Sequence, residues 1–175
     1  KLIQKYFPPE PLQAYQMLIP TAYKADLFRY CVLYLYGGIY SDLSQTVLTP
    51  YNVNQDNADL VIVKDRGGKD HGCGYENNIQ VSFLATIKKH PFFQYLIQQL
   101  TKDILSKRKG ICPIDVSGPT YFGRTFCRYF GVKKIRLGVA IYQGLRKQKT
   151  KISIPFKLNG ETINFLNNKI FIQSK

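Results

Sequence analysis

The spacing of apolar residues predicts a helix that turns sharply into a strand. From residue 20 to residue 35, apolar side chains recur every three or four positions, which is the repeat of a helix. Gly37 and Gly38 follow, and a glycine just past the last helical turn accepts the backbone conformation that ends a helix. Residues 39–43 then predict a short strand, so Asp42 lies near a strand end.

The following segments predict a sheet covered by helices. Residues 59–65 form a continuous apolar run, typical of a central strand covered on both faces. Residues 79–86 favour a second strand, although this segment could instead open a helix. Pro91 marks the first position of a helix that continues to residue 105, and residues 118–131 predict a shorter helix bounded by glycines.

The last part of the chain has the pattern of β-hairpins. Beyond residue 132, three strand-like stretches are separated by turn signals at Asn159-Gly160 and Asn167-Asn168. The whole order predicts an α/β domain, with a mixed sheet flanked by helices and hairpins at the C-terminal end. In such sheets ligands usually bind at the carboxyl ends of the strands, where Asp42 lies.

Length and composition fit a single globular domain over residues 1–175. The chain is 45% hydrophobic, which is enough to build a core. It has no run of eighteen apolar residues and no signal-peptide pattern in this piece, so localisation stays open, with the cytoplasm and the Golgi lumen both compatible. The four cysteines have no metal-site spacing, so we expect mostly free thiols, with Cys31 in the core.

Positive charge is concentrated in one region of the chain. The net charge is +14, and residues 101–151 hold thirteen Lys or Arg against two Asp or Glu. Such a segment attracts phosphates, an anionic membrane surface or an acidic acceptor, although it is also compatible with an ordinary solvated face. A nucleic-acid-binding module is the least favoured interpretation, because no reading helix or aromatic RNA-binding motif accompanies the charge.

Asp26 and Arg29 are three residues apart on the predicted helix and therefore project from one face. One interpretation is an exposed ion pair that contributes little to stability. The other is a binding edge, where the carboxylate accepts hydrogen bonds from sugar hydroxyls and the guanidinium donates to a phosphate. Spacing alone leaves both open.

The longer string AYKADLFRYCVLYLYGGIYSDL resembles the core motif of glycosyltransferase family 32, the sugar-binding region containing a DXD motif. That motif has an Ala-x-x-Asp-x-x-Arg-Tyr helix, then Gly-Gly-Ile-Tyr and a strand ending in Asp-x-Asp. Weaker similarity continues to about residue 130, and the family includes mannosyltransferase-like and capsular-polysaccharide-synthesis-like members. The resemblance implies a GT-A fold, a UDP- or GDP-sugar donor, a glycan or glycoconjugate acceptor and a retaining, hexosyltransferase-like reaction.

The resemblance also implies roles for particular residues. Asp26 and Arg29 would hold the donor sugar, and Asp42 would contact the sugar, the ribose or a metal ion, so these three are the candidate catalytic residues. The candidate donor-binding residues are Ala22, Asp26, Arg29, Tyr30, Gly37, Gly38, Tyr40, Ser41, Asp42, Asn77, Asn78, Gly118 and Pro119. Mn²⁺ or Mg²⁺ is the implied cofactor, and its candidate ligands are Asp42 and Ser44.

Two departures from the family pattern affect these expectations. The chain reads Asp42-Leu43-Ser44, so a hydroxyl replaces the second carboxylate that such cations prefer. Basic residues after position 101, such as Lys107, Arg108 and Lys109, could share or replace the role of the cation. In addition, the usual N-terminal strand for the nucleotide base has no counterpart before residue 20. A catalytically degenerate sugar- or nucleotide-binding protein is therefore the alternative function.

Overall fold

The computed structural model describes residues 1–47, 59–64, 76–131 and 133, and the backbone of strand segments at 139–142, 151–154, 158–159, 162–165 and 170–174. The chain begins with two short helices, α1 (Leu2–Tyr6) and α2 (Pro9–Met17). The apolar spacing did not predict them, because each is short and only two residues of α2 are buried. They lie before residue 20, where the sequence has no counterpart of the family's nucleotide-binding strand.

The predicted helix and glycine turn are confirmed. Helix α3 (Thr21–Tyr36) leads through Gly37 and Gly38, which have φ angles of +67° and +90°, into strand β1 (Gly38–Ser41). A side chain at Gly37 would place its Cβ 2.5 Å from the backbone nitrogen of Lys88. Only glycine combines this backbone angle with this close approach, so the double glycine sets the direction in which β1 leaves α3.

Five strands form the main sheet, in the order β1-β4-β3-β5-β6. Their bounds are β3 (Leu60–Lys64), β4 (Ile79–Thr86), β5 (Val139–Tyr142) and β6 (Lys151–Ile154). Strand β3 lies in the centre and its first four residues are buried, as its continuous apolar run predicts. A mixed sheet was expected, but every pairing described in this sheet is antiparallel. Strand β4, for example, runs opposite to both of its neighbours.

A second sheet contains the short strand β2 (Gln45–Val47) and the end of the chain. Its order is β2-β9-β8-β7, with β7 (Leu158–Asn159), β8 (Thr162–Phe165) and β9 (Ile170–Ser174). The pairs β7–β8 and β8–β9 are antiparallel neighbours, which confirms the predicted hairpins, although Gly160 and the Asn167-Asn168 turn lie outside the described residues.

Helix α5 (Pro119–Phe130) packs on strand β4, and helix α4 (Pro91–Leu105) packs on α2, α3 and α5. A 3-10 turn at Pro113–Asp115 lies between α4 and α5 in the chain. Their core is aromatic, and the rings of Phe92 and Phe122 lie with centroids 5.2 Å apart. His90 caps α4, because its Nδ1 accepts a hydrogen bond of 3.1 Å from the backbone of Phe92. Burial lowers the pKa of His90 to about 4, so the imidazole stays neutral and able to accept.

Two further expectations concern membranes and thiols. Among the described residues, none of the helices has the length and apolar character needed to cross a membrane. Cys31 is a free thiol in the core, as predicted, and burial raises its pKa to about 12. Cys112 is disulfide-bonded, so the expectation of mostly free thiols is wrong for this residue. Sequence spacing carries no information about which cysteines meet in space.

Candidate functional site

The turn from α3 into β1 brings Asp26, Arg29 and Asp42 together. Asp26 and Arg29 lie one helical turn apart on α3, and Asp42 directly follows β1. Arg29 is paired with both carboxylates, through Nη2 to Asp26 Oδ1 at 3.3 Å and through Nη1 to Asp42 Oδ1 at 3.3 Å. The backbone nitrogen of Asp42 donates to the carbonyl of Ser82 at 2.9 Å, so β4 fixes the position of the second carboxylate.

The guanidinium of Arg29 is held from several sides. Its Nη1 donates to the carbonyl of Val81 at 2.7 Å, and its central carbon lies 4.6 Å from the centre of the Tyr40 ring. Only 7% of Arg29 is exposed. A cation fixed by a backbone carbonyl, two carboxylates and an aromatic ring keeps one orientation, and it holds both carboxylates in place.

Tyr40 contacts both Arg29, through its ring, and Asp42, through its hydroxyl. Its hydroxyl donates to Asp42 Oδ1 at 2.7 Å. Burial and this hydrogen bond raise the pKa of Tyr40 to about 12, so it remains a donor at neutral pH. The side chain of Asp42 is 34% exposed, against 10% for that of Asp26. A ligand would therefore meet Asp42 first.

Asp26 is the buried end of the cluster. Ser117 donates to its Oδ2 at 2.7 Å, and the hydroxyl of Tyr30 donates to the carbonyl of Ser117 at 2.8 Å. Burial raises the pKa of Asp26 to about 6, although Arg29 and the bond from Ser117 lower it. The role of Ser117 has no signal in the sequence, since Ser117 and Asp26 are 91 positions apart and meet only through tertiary packing.

Residues beside Ser117 and at the start of α3 lie close to Asp26. Gly118, the N-cap of α5, is so close that a Cβ there would lie 3.4 Å from Asp26 Oδ2. Pro119 follows as the first residue of α5. Ala22 is exposed on the first turn of α3, one turn before Asp26, and leaves that edge of the helix open.

Other predicted site residues are engaged elsewhere. Gly37 packs against the backbone of residues 86–88 at the far end of β1, and Gly38 is exposed beside it. Ser41 donates to Gln45 Oε1 at 2.9 Å and so closes the turn after β1. These contacts shape the scaffold around Asp42.

Asn77 and Asn78 lie beneath α5. The side chain of Asn77 donates to the carbonyl of Lys133 at 3.1 Å, and Asn78 Oδ1 accepts from Thr120 at 2.8 Å. Gly123 of α5 packs on the backbone of Asn77, where a Cβ would lie 2.8 Å from the carbonyl carbon. The two asparagines therefore hold α5 on the sheet, and this holds the Ser117–Gly118 segment against Asp26.

The candidate metal ligands, Asp42 and Ser44, lie in one exposed turn. This turn is closed by a hydrogen bond of 3.0 Å from the backbone of Gln45 to the carbonyl of Asp42. No group of three His, Cys, Asp or Glu residues suited to a metal occurs within the part of the chain that is described. One carboxylate and one hydroxyl do fit Mn²⁺ or Mg²⁺ when the other ligands are water and substrate phosphates.

Two arginines of the basic region have a structural partner. Asp115 is fully buried, and its carboxylate pairs with Arg108 at 2.8 Å and with Arg124 at 3.3 Å. Arg108 also lies 3.7 Å from Asp103. The hypothesis that Arg108 provides a cation for a phosphate is therefore not favoured, because its guanidinium already neutralises a buried charge. Lys107 and Lys109 are exposed, and residues 134–138 and 143–150 lie outside the described part.

Comparisons with known proteins show similarity to glycosyltransferases. Residues 2–68 match the profile of the glycosyltransferase sugar-binding region containing a DXD motif. The chain is 26% identical to the initiation-specific alpha-1,6-mannosyltransferase of Candida albicans, over 69% of this chain and 38% of that protein. The solved structure of the PaToxG glycosyltransferase is similar in fold, with a TM-score of 0.52 and 15% identity, over 69% of this chain and 40% of the other.

These findings confirm the resemblance to glycosyltransferase family 32 and the GT-A-like α/β fold. The chain spans about two fifths of the length of these two proteins. The match over residues 2–68 includes the whole Asp26–Asp42 unit.

Proposed function

We propose that this chain, which is glycosyltransferase family 32-like, transfers a sugar from a nucleotide-sugar donor to a glycan or glycoconjugate acceptor, with retention of anomeric configuration. The observation that carries the proposal is the joining of Asp26, Arg29 and Asp42 around Tyr40. An exposed ion pair would not need this arrangement, because Asp26 and Arg29 are each only 7% exposed and both are held by further partners. Residues 1–175 would form one catalytic domain.

In this proposal the cluster binds the donor from its open side. The exposed oxygen of Asp42 accepts a hydrogen bond from a hydroxyl of the sugar or the ribose. Arg29 and Asp26 lie behind it and form a second layer, in which the carboxylate oxygens retain lone pairs for further hydroxyls. The fixed guanidinium keeps the two carboxylates in one orientation toward the donor, so no rearrangement is needed when the donor binds.

A divalent cation would be held by Asp42 and Ser44 in the turn after β1. When bound, Mn²⁺ or Mg²⁺ supplies positive charge to the departing diphosphate. The chain's own residues then have the tasks of orientation: Tyr40 keeps one oxygen of Asp42 engaged, and this leaves the other oxygen for the ligand.

A second candidate function is binding of sugars or nucleotides without transfer. The observation that favours it is Ser44, which is an exposed neutral residue where the family motif has its second carboxylate. A weakened cation site lowers the charge available to the leaving group and so favours binding over turnover.

Donor hydrolysis and transfer with a panel of UDP- and GDP-sugars, with and without Mn²⁺, test the proposal. We expect turnover with at least one donor, and a loss of kcat/KM of about 100-fold or more in Asp42→Asn, as is typical when one charge-stabilising group is removed. Glu10→Gln, which changes an exposed carboxylate on α2, is the matched control and should leave turnover unchanged. Binding of donors without turnover would support the second function instead, and equal activity of Asp42→Asn and the parent protein would contradict the role proposed for Asp42.

A further inference from the structure

Ser117, the residue before the N-cap of α5, is held against α3 at two points. Its Oγ donates to Asp26 Oδ2 at 2.7 Å, and its carbonyl accepts a hydrogen bond of 2.8 Å from the hydroxyl of Tyr30. Asp26 and Tyr30 are four residues apart on α3 and therefore project from the same face of the helix. One helix face thus provides an acceptor and a donor for the two polar groups of Ser117.

The hydroxyl of Ser117 is committed to Asp26. Ser117 is 0% exposed, so it is not open to a ligand. A hydroxyl has one proton to donate, and the Asp26 carboxylate accepts it here. A hydrogen bond to an ionised acceptor is stronger than one between neutral groups. Ser117 therefore acts on the site through Asp26.

The two oxygens of Asp26 have different partners. Oδ1 lies 3.3 Å from Arg29 Nη2, and Oδ2 accepts the 2.7 Å bond from Ser117. Arg29 is shared with Asp42, also at 3.3 Å, so the shorter contact to Ser117 fixes the Asp26 carboxylate more closely than the guanidinium does. Rotation of a carboxylate about its last bond is otherwise broad. With Ser117 in place, the plane of this carboxylate is set from two sides.

The Asp26 carboxylate still has capacity to bind. Two carboxylate oxygens offer about four lone-pair positions, and Arg29 and Ser117 leave some of them unused. The side chain of Asp26 is 10% exposed, and Gly118 adds no side chain beside Oδ2, where a Cβ would lie 3.4 Å away. The remaining lone pairs therefore have a fixed direction, and part of the carboxylate is exposed.

We propose that Ser117 is a positioning residue for the proposed sugar transfer, and that its hydroxyl holds the Asp26 carboxylate in the orientation that accepts hydrogen bonds from the donor sugar. Ser117 makes no contact with the donor and acts through Asp26 alone. This inference rests on the proposed function, because it requires that Asp26 binds hydroxyls of the donor.

Kinetics of Ser117→Ala with a UDP- or GDP-sugar that the parent protein uses test the proposal. We expect kcat/KM at neutral pH to fall about tenfold, because one hydrogen bond to a charged group is lost. The matched control is Ser106→Ala, which removes an exposed hydroxyl that donates to the carbonyl of Asp103 at 3.1 Å. Ser106 does not contact the cluster, so this control should leave kcat/KM unchanged.

The pH dependence separates positioning of Asp26 from a general loss of structure. The ionised carboxylate is the form that binds in this proposal, so kcat/KM of the parent protein should fall on the acid side near the Asp26 pKa of about 6. Because Ser117 lowers this pKa, Ser117→Ala should move the acid limb to higher pH and lose less activity above the limb than on it. A merely weakened fold would lower kcat/KM by the same factor at each pH. The other charged or titratable groups that face Asp26 in the described part of the chain are unchanged in this variant: Arg29, Tyr30, Tyr40 and Asp42.

Tyr30→Phe separates the hydroxyl of Ser117 from the placement of its segment. This change releases the carbonyl of Ser117 and keeps the bond from its hydroxyl to Asp26. The acid limb should therefore stay at the position of the parent protein. An equal shift of the limb in Tyr30→Phe and Ser117→Ala would overturn the proposal.

The outcomes distinguish a failure of this inference from a failure of the proposed function. If the parent protein turns over a donor and Ser117→Ala has the same kcat/KM and the same acid limb, the positioning role is wrong and the proposed function stands. If the parent protein binds donors without turnover, titration calorimetry of donor binding over the same pH series replaces kcat/KM, with the same expectations for affinity. A parent protein that neither binds nor turns over any donor would overturn both.

Discussion

Ionisation of Asp26 should cost the folded protein free energy at neutral pH. Burial raises the pKa of this carboxyl from 3.8 to about 6, even with Arg29 and Ser117 acting in the opposite direction. Because one pKa unit corresponds to about 1.4 kcal/mol, the difference amounts to about 3 kcal/mol of stability. This is a large part of the stability of a typical domain.

The sign follows from which state holds the proton. Between pH 3.8 and about 6 the folded state keeps a proton on Asp26 that the unfolded state has released. The contribution of this group is therefore fully present below pH 3.8 and is lost as the pH rises through about 6. Asp26→Asn removes the titration and keeps an oxygen that can accept from Ser117.

The assay is urea unfolding of the parent protein and of Asp26→Asn at a series of pH values, followed by circular dichroism. The parent-minus-variant difference in the free energy of unfolding should fall by about 3 kcal/mol between pH 3.8 and about 6 and then stay constant at higher pH. His90 titrates in the opposite sense, but it is present in both proteins and cancels in the difference.

Ser117→Ala provides an internal control for this reasoning. It removes a hydrogen bond that lowers the pKa of Asp26, so the upper edge of the window should move to higher pH. A difference curve that is flat, or that rises with pH, would refute the conclusion that burial raises the pKa of Asp26. In the catalytic interpretation, Asp26→Asn also loses transfer activity at every pH tested.

Two further predictions concern the scaffold that holds the site. Gly123→Ala should lower the free energy of unfolding by about 3 kcal/mol or more, because its Cβ would collide with the backbone of Asn77. The control is Gly131→Ala, where φ is +65° but nothing lies within 4 Å. In the same denaturation assay it should cost only about 1 kcal/mol. Asp115→Asn should cost about 1.5–3 kcal/mol, because it removes the charge that holds the partly exposed Arg108 and Arg124 against a buried carboxylate; an unchanged midpoint of unfolding would contradict a stabilising role for these pairs.

Helices and turns could be predicted from the sequence where their signals lie within a few neighbouring residues. The helix at Pro91–Leu105 was predicted to its ends, because Pro91 and the apolar repeat act within a few residues. The double glycine after α3 was predicted for the same reason, and the structure adds the contact at Gly37 that makes it necessary. Helices α1 and α2 were missed, because their apolar residues are too few to give a periodic pattern.

The site could be predicted only where a motif lies within one continuous segment. Asp26, Arg29 and Asp42 belong to a single helix–turn–strand unit, so their spacing carries the geometry. Ser117 and the carbonyl of Val81 come from other elements, and tertiary packing alone brings them to the cluster. The structural role of Arg108 was likewise hidden, since a basic residue in a basic segment gives no indication of a buried partner.

The charges of the cluster explain why the proposed reaction still needs an additional cation. Asp26 and Asp42 share the single guanidinium of Arg29, so at neutral pH the described cluster carries more negative than positive charge. A diphosphate leaving group would be repelled by that balance unless another cation joined it. Arg108 and Arg124 do not offer one, because both are paired with Asp115. In the proposed metal-assisted reaction, the open, 34% exposed carboxylate of Asp42 is the place in the described cluster where such a cation would reach both protein and donor.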